Sequence, residues 1–219
     1  DASLLVSDAE AALFESRTSA QGVQALGNGI DTAYYDPQGH FKKLHPPFPD
    51  PLIVFTGQMD YRPNVEAVAD FAETAMPLIR AQYPEATFAI VGRNPTQGVS
   101  DLSMLPGVQV TGAVDDVRTW LGAADVVVAP LRIARGIQNK VLEAMAMAKP
   151  VVASSAAAEG ISAEHGQHLF VESNVRAEAE RVCALLADPT HALAVGKAAR
   201  DHVVEHYGWP SQLAPLDEI

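Results

Sequence analysis

Residues 130 to 154 read PLRIARGIQNKVLEAMAMAKPVVAS, and the side chains able to do chemistry crowd into the first half of that stretch. Arg132, Arg135 and Lys140 are cations, Gly136 lets backbone come close, and Gln138 or Asn139 stands where a helix opens. The first turn of a helix carries backbone N–H groups with no partner inside the helix. A helix start with cations and a glycine beside it therefore suits an anion, most often phosphate. Arg135 and Lys140 flank that start and are the first phosphate candidates. Glu143 follows one turn into the helix. A carboxylate is a poor neighbour for phosphate but a good acceptor for vicinal hydroxyls such as those of a ribose. Phosphate and ribose together predict a sugar-nucleotide site. The run VLEAMAMA is apolar nearly all round, so the helix is expected to be buried, and a buried carboxylate needs partners.

The elements that must position these residues follow from hydrophobic patterning. Apolar runs without polar alternation stand at LIVFTG (52–57), TFAIVG (87–92), VQVTG (108–112), ADVVVAP (124–130) and PVVASS (150–155), with a shorter one at HLFV (168–171). Such runs predict parallel strands covered on both faces. Helical patterns lie between and after them: 63–82 with a kink at Pro77, 115–121 capped by Asp115 or Asp116, 139–148, a helix from Asn174 to Leu186, another from Pro189 to His206, and a last segment from Trp209 to about Leu216. The fold class is α/β, a Rossmann-like open parallel sheet with helices on both faces. A strand at Leu4–Ser7, a helix from Asp8 to Phe14 capped by Ser7, and a strand at Val23–Leu26 form a small N-terminal unit. Right-handed crossovers bring all strand ends to one edge, where ligands bind. Gly57, Gly92 and Gly112 end three strands there and are expected to let a ligand approach backbone, with Arg62 and Arg93 nearby. Met145 and Met147 are expected to fill the core.

Pro37, Pro46, Pro47, Pro49 and Pro51 mark residues 36–51 as a linker, with His40 and His45 as solvated histidines. The division is then residues 1–40, the small unit and linker start, and 41–219, the main domain. A formal charge of −12 over 219 residues gives no basic footprint for nucleic acid. The single Cys183 lies in an apolar helical stripe and reads as a buried thiol in a reducing compartment. No apolar run reaches membrane-spanning length and no signal peptide opens the chain. It begins at Asp1, just before a strand, as if inside a longer protein. Without a G-x-G-x-x-G or a Walker motif, neither a nicotinamide dinucleotide site nor a P-loop has its signature. No cluster of carboxylates is spaced to hold a metal, and none is expected.

GIQNKVLEAMAMAKPVVAS (136–154) resembles the signature of retaining, nucleotide-sugar-dependent glycosyltransferases of the GT-B fold, family 4 in particular. VTGAVDDVRTWLGAADVVVAPL (110–131) is similar to the strand–helix–strand before that signature, and FTGQMDYRPNVEAV (55–68) to the first phosphate loop of the same domain. VSDAEAALF (6–14) with VQALGNGIDTAYYDP (23–37) resembles the end of the family's N-terminal domain and the turn before its linker. ARGIQNKVLEAMAM (134–147) looks most like sugar transferases of exopolysaccharide loci associated with PEP-CTERM/exosortase systems.

The resemblance implies roles. Glu143 matches the second glutamate of a Glu-x7-Glu motif and would hold the donor ribose. The first glutamate falls at Arg135, a departure that leaves the sugar-binding carboxylate absent. Backbone at Gly136, Ile137, Gln138 and Asn139 would meet the distal phosphate. The usual first-loop Arg and Lys are Gln58 and Asn64 here, so Arg62, Arg132, Arg135 or Lys140 would supply the diphosphate grip, with Gly57 in the loop. Arg93 and Val114 stand near the nucleobase. The implied reaction transfers a sugar from a UDP-, GDP- or similar nucleotide sugar to an acceptor hydroxyl, without metal or other cofactor. The acceptor, a saccharide or lipid-linked saccharide, would bind through an N-terminal domain of which residues 1–40 are the tail, so this chain alone is expected to bind donor without completing transfer. The implied place is cytoplasmic, with a peripheral position at the inner membrane face as its alternative. Two other classes compete: an enzyme of the UDP-N-acetylglucosamine 2-epimerase type, for which Asp115, Asp116 and Glu159 are available, and a non-catalytic nucleotide-sugar-binding module, which Arg135 in place of an acid would suit.

Overall fold

The structure, a computed structural model, describes residues 3–5, 8–44, 50–214 and 216. Two parallel sheets are present among them. The small one pairs β1 (Ser3–Leu5) with β2 (Val23–Ala25), in register Ser3 to Val23, across helix α1 (Asp8–Arg17). The end of the first expected strand, its capping Ser7, and His45 of the linker lie outside the described residues.

The large sheet holds β3 (Leu52–Thr56), β4 (Thr87–Val91), β5 (Val108–Gly112), β6 (Val126–Ala129), β7 (Val151–Ser154) and β8 (Phe170–Glu172), in the order β5-β4-β3-β6-β7-β8, all parallel. Every residue of β3, β4, β6 and β7 is buried. That is why these strands carry no polar alternation: both faces are covered. From β3 the chain winds outward one way through β4 and β5, then returns to β6 on the other side of β3 and winds the opposite way. The strand order therefore reverses between β3 and β6, and a crevice opens there at the C-terminal strand ends. The last expected strand starts later than its apolar run. His168 is used in a turn, where its N–H bonds the Glu164 carbonyl (3.0 Å) and its ring Nδ1 accepts from the Glu164 N–H (3.1 Å).

The helix after β3 runs as α2 (Arg62–Asp70), a π-helical turn (Phe71–Ala75) and α3 (Met76–Gln82). Pro77 has no N–H to give and its ring crowds the preceding turn. The turn widens instead of breaking: Met76 N–H reaches back five residues to the Phe71 carbonyl, and Phe71, Ala75, Met76 and Ile79 stay buried. A short helix, α4 (Gln97–Asp101), was not expected from the pattern; the Thr96 hydroxyl caps it at the Val99 N–H. Helix α5 (Arg118–Ala123) starts three residues later than expected, because the Asp116 carboxylate takes the Arg118 N–H at 2.9 Å and its guanidinium as well. Then come α6 (Asn139–Ala146), α7 (Ser155–Ala158), α8 (Val175–Ala187, capped by Asn174), α9 (Pro189–His206, capped by Asp188) and α10 (Trp209–Leu213). Met145, Met147 and Cys183 are buried in the core.

The stretch between the two sheets is shared out by packing. Ile30 is buried in the main core and its N–H bonds the Tyr207 carbonyl at 2.7 Å, while Tyr35, Phe41 and Leu44 pack on the same core. Gly29 lies so close to Trp209 that a Cβ would sit 2.5 Å from its ring. Residues 30–44, which the sequence division splits at 40, thus lie on the large sheet's unit.

Candidate functional site

A cavity of about 740 Å³ opens at the C-terminal ends of β3, β4 and β5, beside the start of α6. Thr56, Gly57 and Gln58 reach it from β3, Gly92 and Arg93 from β4, Val114 and Val117 from the turn after β5, and Gln138, Lys140 and Glu143 from α6. Tyr61 and Asn64 add the start of α2, and Tyr35 arrives from the segment before the large sheet.

Lys140 and Glu143 are three apart on α6, so they share one face of it. Elsewhere on the helix, Val141, Leu142 and Met145 are buried. That burial aims both charged groups at the cavity. The Lys140 Nζ donates to the Asn64 side-chain carbonyl and stands 4.3 Å from the centre of the Phe55 ring. Burial pushes its pKa down to about 8, with the Glu143 charge pulling the other way. Glu143 is pushed up by burial, opposed by a hydrogen bond from the Tyr35 side chain and by the Lys140 charge. Asn64, itself buried, turns its amide N–H to the Gln58 carbonyl at 2.9 Å. The position where relatives are expected to carry a lysine thus holds an amide that receives the lysine of α6 instead. The Thr56 hydroxyl, buried at the cavity floor, finds no hydrogen-bond partner among the described residues.

The strand-end glycines serve protein contacts at two of the three positions. A Cβ on Gly92 would lie 1.6 Å from the Gly57 carbonyl oxygen, at φ +155°, and one on Gly57 would lie 2.8 Å from the Asn64 amide nitrogen and 3.0 Å from Lys140 Nζ. Neighbouring backbone and the Asn64–Lys140 pair by themselves leave no room for a side chain at these two, and both glycines line the cavity.

The expected cations divide. Lys140 lines the cavity, and Arg93 does so while its guanidinium donates to the Gln58 side chain at 3.0 Å. Arg132 faces elsewhere: it holds the buried Glu178 carboxylate with two hydrogen bonds (2.9 and 3.0 Å) and Asp70 at 3.3 Å. Its place in the phosphate grip is corrected to a structural one, because a guanidinium committed to a desolvated carboxylate is not free for a ligand. Arg62 pairs with Glu66 on the surface at 2.6 Å, one turn along α2, and is not part of the cavity wall. Arg135 is exposed on the loop before α6, outside the wall. Gly136 adopts a left-handed φ of +63°, and the Gln138 side chain donates to the carbonyls of Arg135 and Gly136 at 3.1 Å each, which ties the loop to the helix start. Ile137 packs against the core, and Asn139 is the exposed first residue of α6. The reading of motifs missed Tyr35, Tyr61 and Thr56. The tyrosine pair before Asp36 is the only signal that could have pointed to Tyr35.

Residues 50–188 match the family described as Glycosyl transferases group 1. The chain is 33% identical over 158 residues to a phosphatidyl-myo-inositol mannosyltransferase of Propionibacterium freudenreichii subsp. shermanii, a match that covers 71% of this chain and 38% of that protein. It is 26% identical over 219 residues to a GDP-mannose-dependent alpha-(1-6)-phosphatidylinositol monomannoside mannosyltransferase of Mycobacterium tuberculosis, covering 91% of this chain and 56% of the relative. The chain thus spans about half the length of these relatives. Among solved structures, a glycosyltransferase from Rickettsia africae superposes with a TM-score of 0.77 at 18% identity over 100% of this chain and 62% of the other, which shows the same fold.

Proposed function

The chain belongs to the group 1 glycosyl transferases, and we propose that its cavity binds the nucleoside diphosphate of a sugar donor from which a glycosyl group passes, with retention, to an acceptor hydroxyl. The observation that carries this reading is the Lys140–Glu143 pair, a half-buried cation and a half-buried carboxylate on the one face of α6 that looks into the cavity. Glu143 accepts from the ribose hydroxyls. Lys140, with backbone N–H groups at Gly136 to Asn139, meets the diphosphate. Arg93 and Val114 border the base. As the bond to the anomeric carbon breaks, charge grows on the leaving diphosphate, and a cation placed beforehand in a low-dielectric site stabilises it. Lys140 supplies that charge in place of a divalent metal. Exposed Arg135 stands on the loop beside the distal phosphate.

Two relatives are named as mannosyltransferases and one of them as GDP-mannose-dependent, so GDP-mannose is the first donor to test. Their names, with phosphatidyl-myo-inositol and phosphatidylinositol monomannoside in them, also support a lipid-linked acceptor. That acceptor is bound through a further domain, of which the small β1–α1–β2 unit is the tail, and the large sheet's unit is the donor side. Among the described residues no helix is long and apolar enough to cross a membrane. The proposed setting is exopolysaccharide or glycoconjugate synthesis in the cytoplasm, at the inner face of the membrane.

The test is a melting-temperature panel with GDP, UDP, ADP and their sugars, followed by calorimetry on the best of them. A ligand at a hundred times its Kd stabilises by about 2.7 kcal/mol. The expected result is stabilisation by one nucleoside diphosphate, abolished in Lys140→Ala. A flat response to the whole panel overturns the reading.

A further inference from the structure

The segment that brings Tyr35 to the cavity is held by two arginines from different helices of the large unit. From α5, the Arg118 guanidinium donates to the Tyr34 carbonyl at 3.0 Å and lies over the Tyr34 ring, 3.8 Å from its centre, with Asp116 fixing its other side at 2.6 Å. From α9, Arg200 donates to the Tyr35 carbonyl at 2.8 Å, pairs with Asp36 at 3.2 Å, and bonds the Ala146 carbonyl at the end of α6. Asp31 closes the turn from inside: its carbonyl takes the Tyr35 N–H at 2.9 Å and its carboxylate takes the Tyr34 N–H at 2.8 Å. Backbone gripped on both sides of a residue leaves its side chain few directions to take. The Tyr35 ring packs edge-on against Tyr34, 5.0 Å between centres, and against the main core. Tyr35 and Glu143 line the same cavity, near enough that each shifts the titration of the other. Arg200 also ties this segment to the helix that carries Glu143.

We propose that Tyr35 is a positioning residue for the donor: its phenol donates to the Glu143 carboxylate and fixes the rotamer in which the free oxygen lone pairs face the ribose hydroxyls. The inference rests on the assignment of Glu143 to the ribose. A glutamate has three rotatable bonds, and one that must find its rotamer at each binding event loses entropy that a held one has already lost. An ionised carboxylate has about four acceptor sites, so one phenol leaves room for a bidentate ribose. The phenol is a suitable holder because a tyrosine hydroxyl stays protonated through the physiological range, and burial together with the Glu143 charge pushes it further that way. The clamped segment precedes the large sheet in the chain and packs on its core, so the ribose site is finished by a residue from well outside the segment that carries Glu143.

Tyr35→Phe keeps the ring and removes only the hydroxyl. Two measurements on it decide the matter. In calorimetry, the unaltered protein is expected to prefer GDP to 2′,3′-dideoxy-GDP, and Tyr35→Phe is expected to lose about tenfold of affinity for GDP while binding the dideoxy nucleotide as before. In ligand-free protein, the Glu143 carboxyl, followed by carbon-13 NMR, is expected to titrate higher in Tyr35→Phe than in the unaltered protein, since a donor to the charged form has gone. A purely packing role moves neither the ribose discrimination nor that titration. Equal losses for both nucleotides overturn the inference, and so does a Glu143 titration that the substitution leaves in place. An unaltered protein that binds GDP and dideoxy-GDP equally well overturns the ribose assignment itself, a failure distinct from that of Tyr35.

Discussion

Lys140 gives the sharpest quantitative test, because the same burial that lowers its pKa sets opposite signs for stability and for binding. Its pKa falls from 10.5 in an open chain to about 8 in the folded one. At about 1.4 kcal/mol per unit, holding it charged at pH 7 costs about 3 kcal/mol of folding stability. Lys140→Met removes that cost and forfeits one hydrogen bond to Asn64, about 1 kcal/mol. The variant is therefore expected to be about 2 kcal/mol more stable at pH 7 by urea denaturation. The sign follows from proton counting. Between about pH 8 and 10.5 the unfolded chain binds more protons at this site, so the parent's stability from it rises with pH and the variant's advantage fades across that window. Binding runs the other way. A diphosphate needs the ammonium form, so affinity should be level below about pH 8 and fall above it. At pH 8.5 about one quarter of free Lys140 is charged, and binding should take up about three quarters of a proton. Calorimetry in two buffers of different ionisation enthalpy reads that uptake directly. Affinity that stays constant from pH 7 to 9.5, with no proton uptake and with Lys140→Met less stable than the parent, would refute the placing of Lys140 in the site.

Three further outcomes follow from the geometry. Arg132→Ala leaves the buried Glu178 carboxylate without its main partner and should cost about 2–3 kcal/mol of stability, reduced from a fully buried pair because Arg132 is partly in water, with nucleotide affinity unchanged within about twofold. Gly92→Ala sets a methyl 1.6 Å from the Gly57 carbonyl and should cost more than about 3 kcal/mol, read as a lost or strongly lowered melting temperature. Arg135→Ala should weaken GDP binding by less than about tenfold, well short of Lys140→Ala, since Arg135 is exposed on the loop outside the cavity wall; a loss as large as that of Lys140→Ala would return Arg135 to the centre of the grip.

The architecture was legible in the chain wherever one local signal decided the outcome. Strands such as LIVF and VVVA carry no polar residue because both faces are covered, and that fact is written into four or five consecutive positions. Asn174 before α8 and Pro189 at the start of α9 mark helix starts by chemistry local to one turn. Where two local signals competed, the reading drifted. The Asp116 side chain could cap a helix at its own position or bond two residues on, and only the Arg118 guanidinium beside it settled the second. The proline in the α2–α3 helix announced a disturbance, while the choice of a π-turn over a break depended on the apolar face that the wider turn keeps against the sheet.

For the site, the sequence by itself determined which chemistry was available: a lysine and a glutamate one turn apart at a helix start, with glycines and arginines at the same sheet edge. Tertiary structure alone decided how that chemistry was distributed. Five arginines and lysines lie near this edge in the chain, and nothing in their spacing tells a free one from one already spent. Arg132 is spent on Glu178, forty-six residues away, and Lys140 is received by Asn64, seventy-six residues away. Tyr35 shares the cavity with Glu143 while Arg118 and Arg200, from two other helices, hold the backbone at Tyr34 and Tyr35. A side chain's identity and local spacing are properties of one segment of chain, but its desolvation and its partner are properties of the space where segments meet, and those exist only once the sheet has closed.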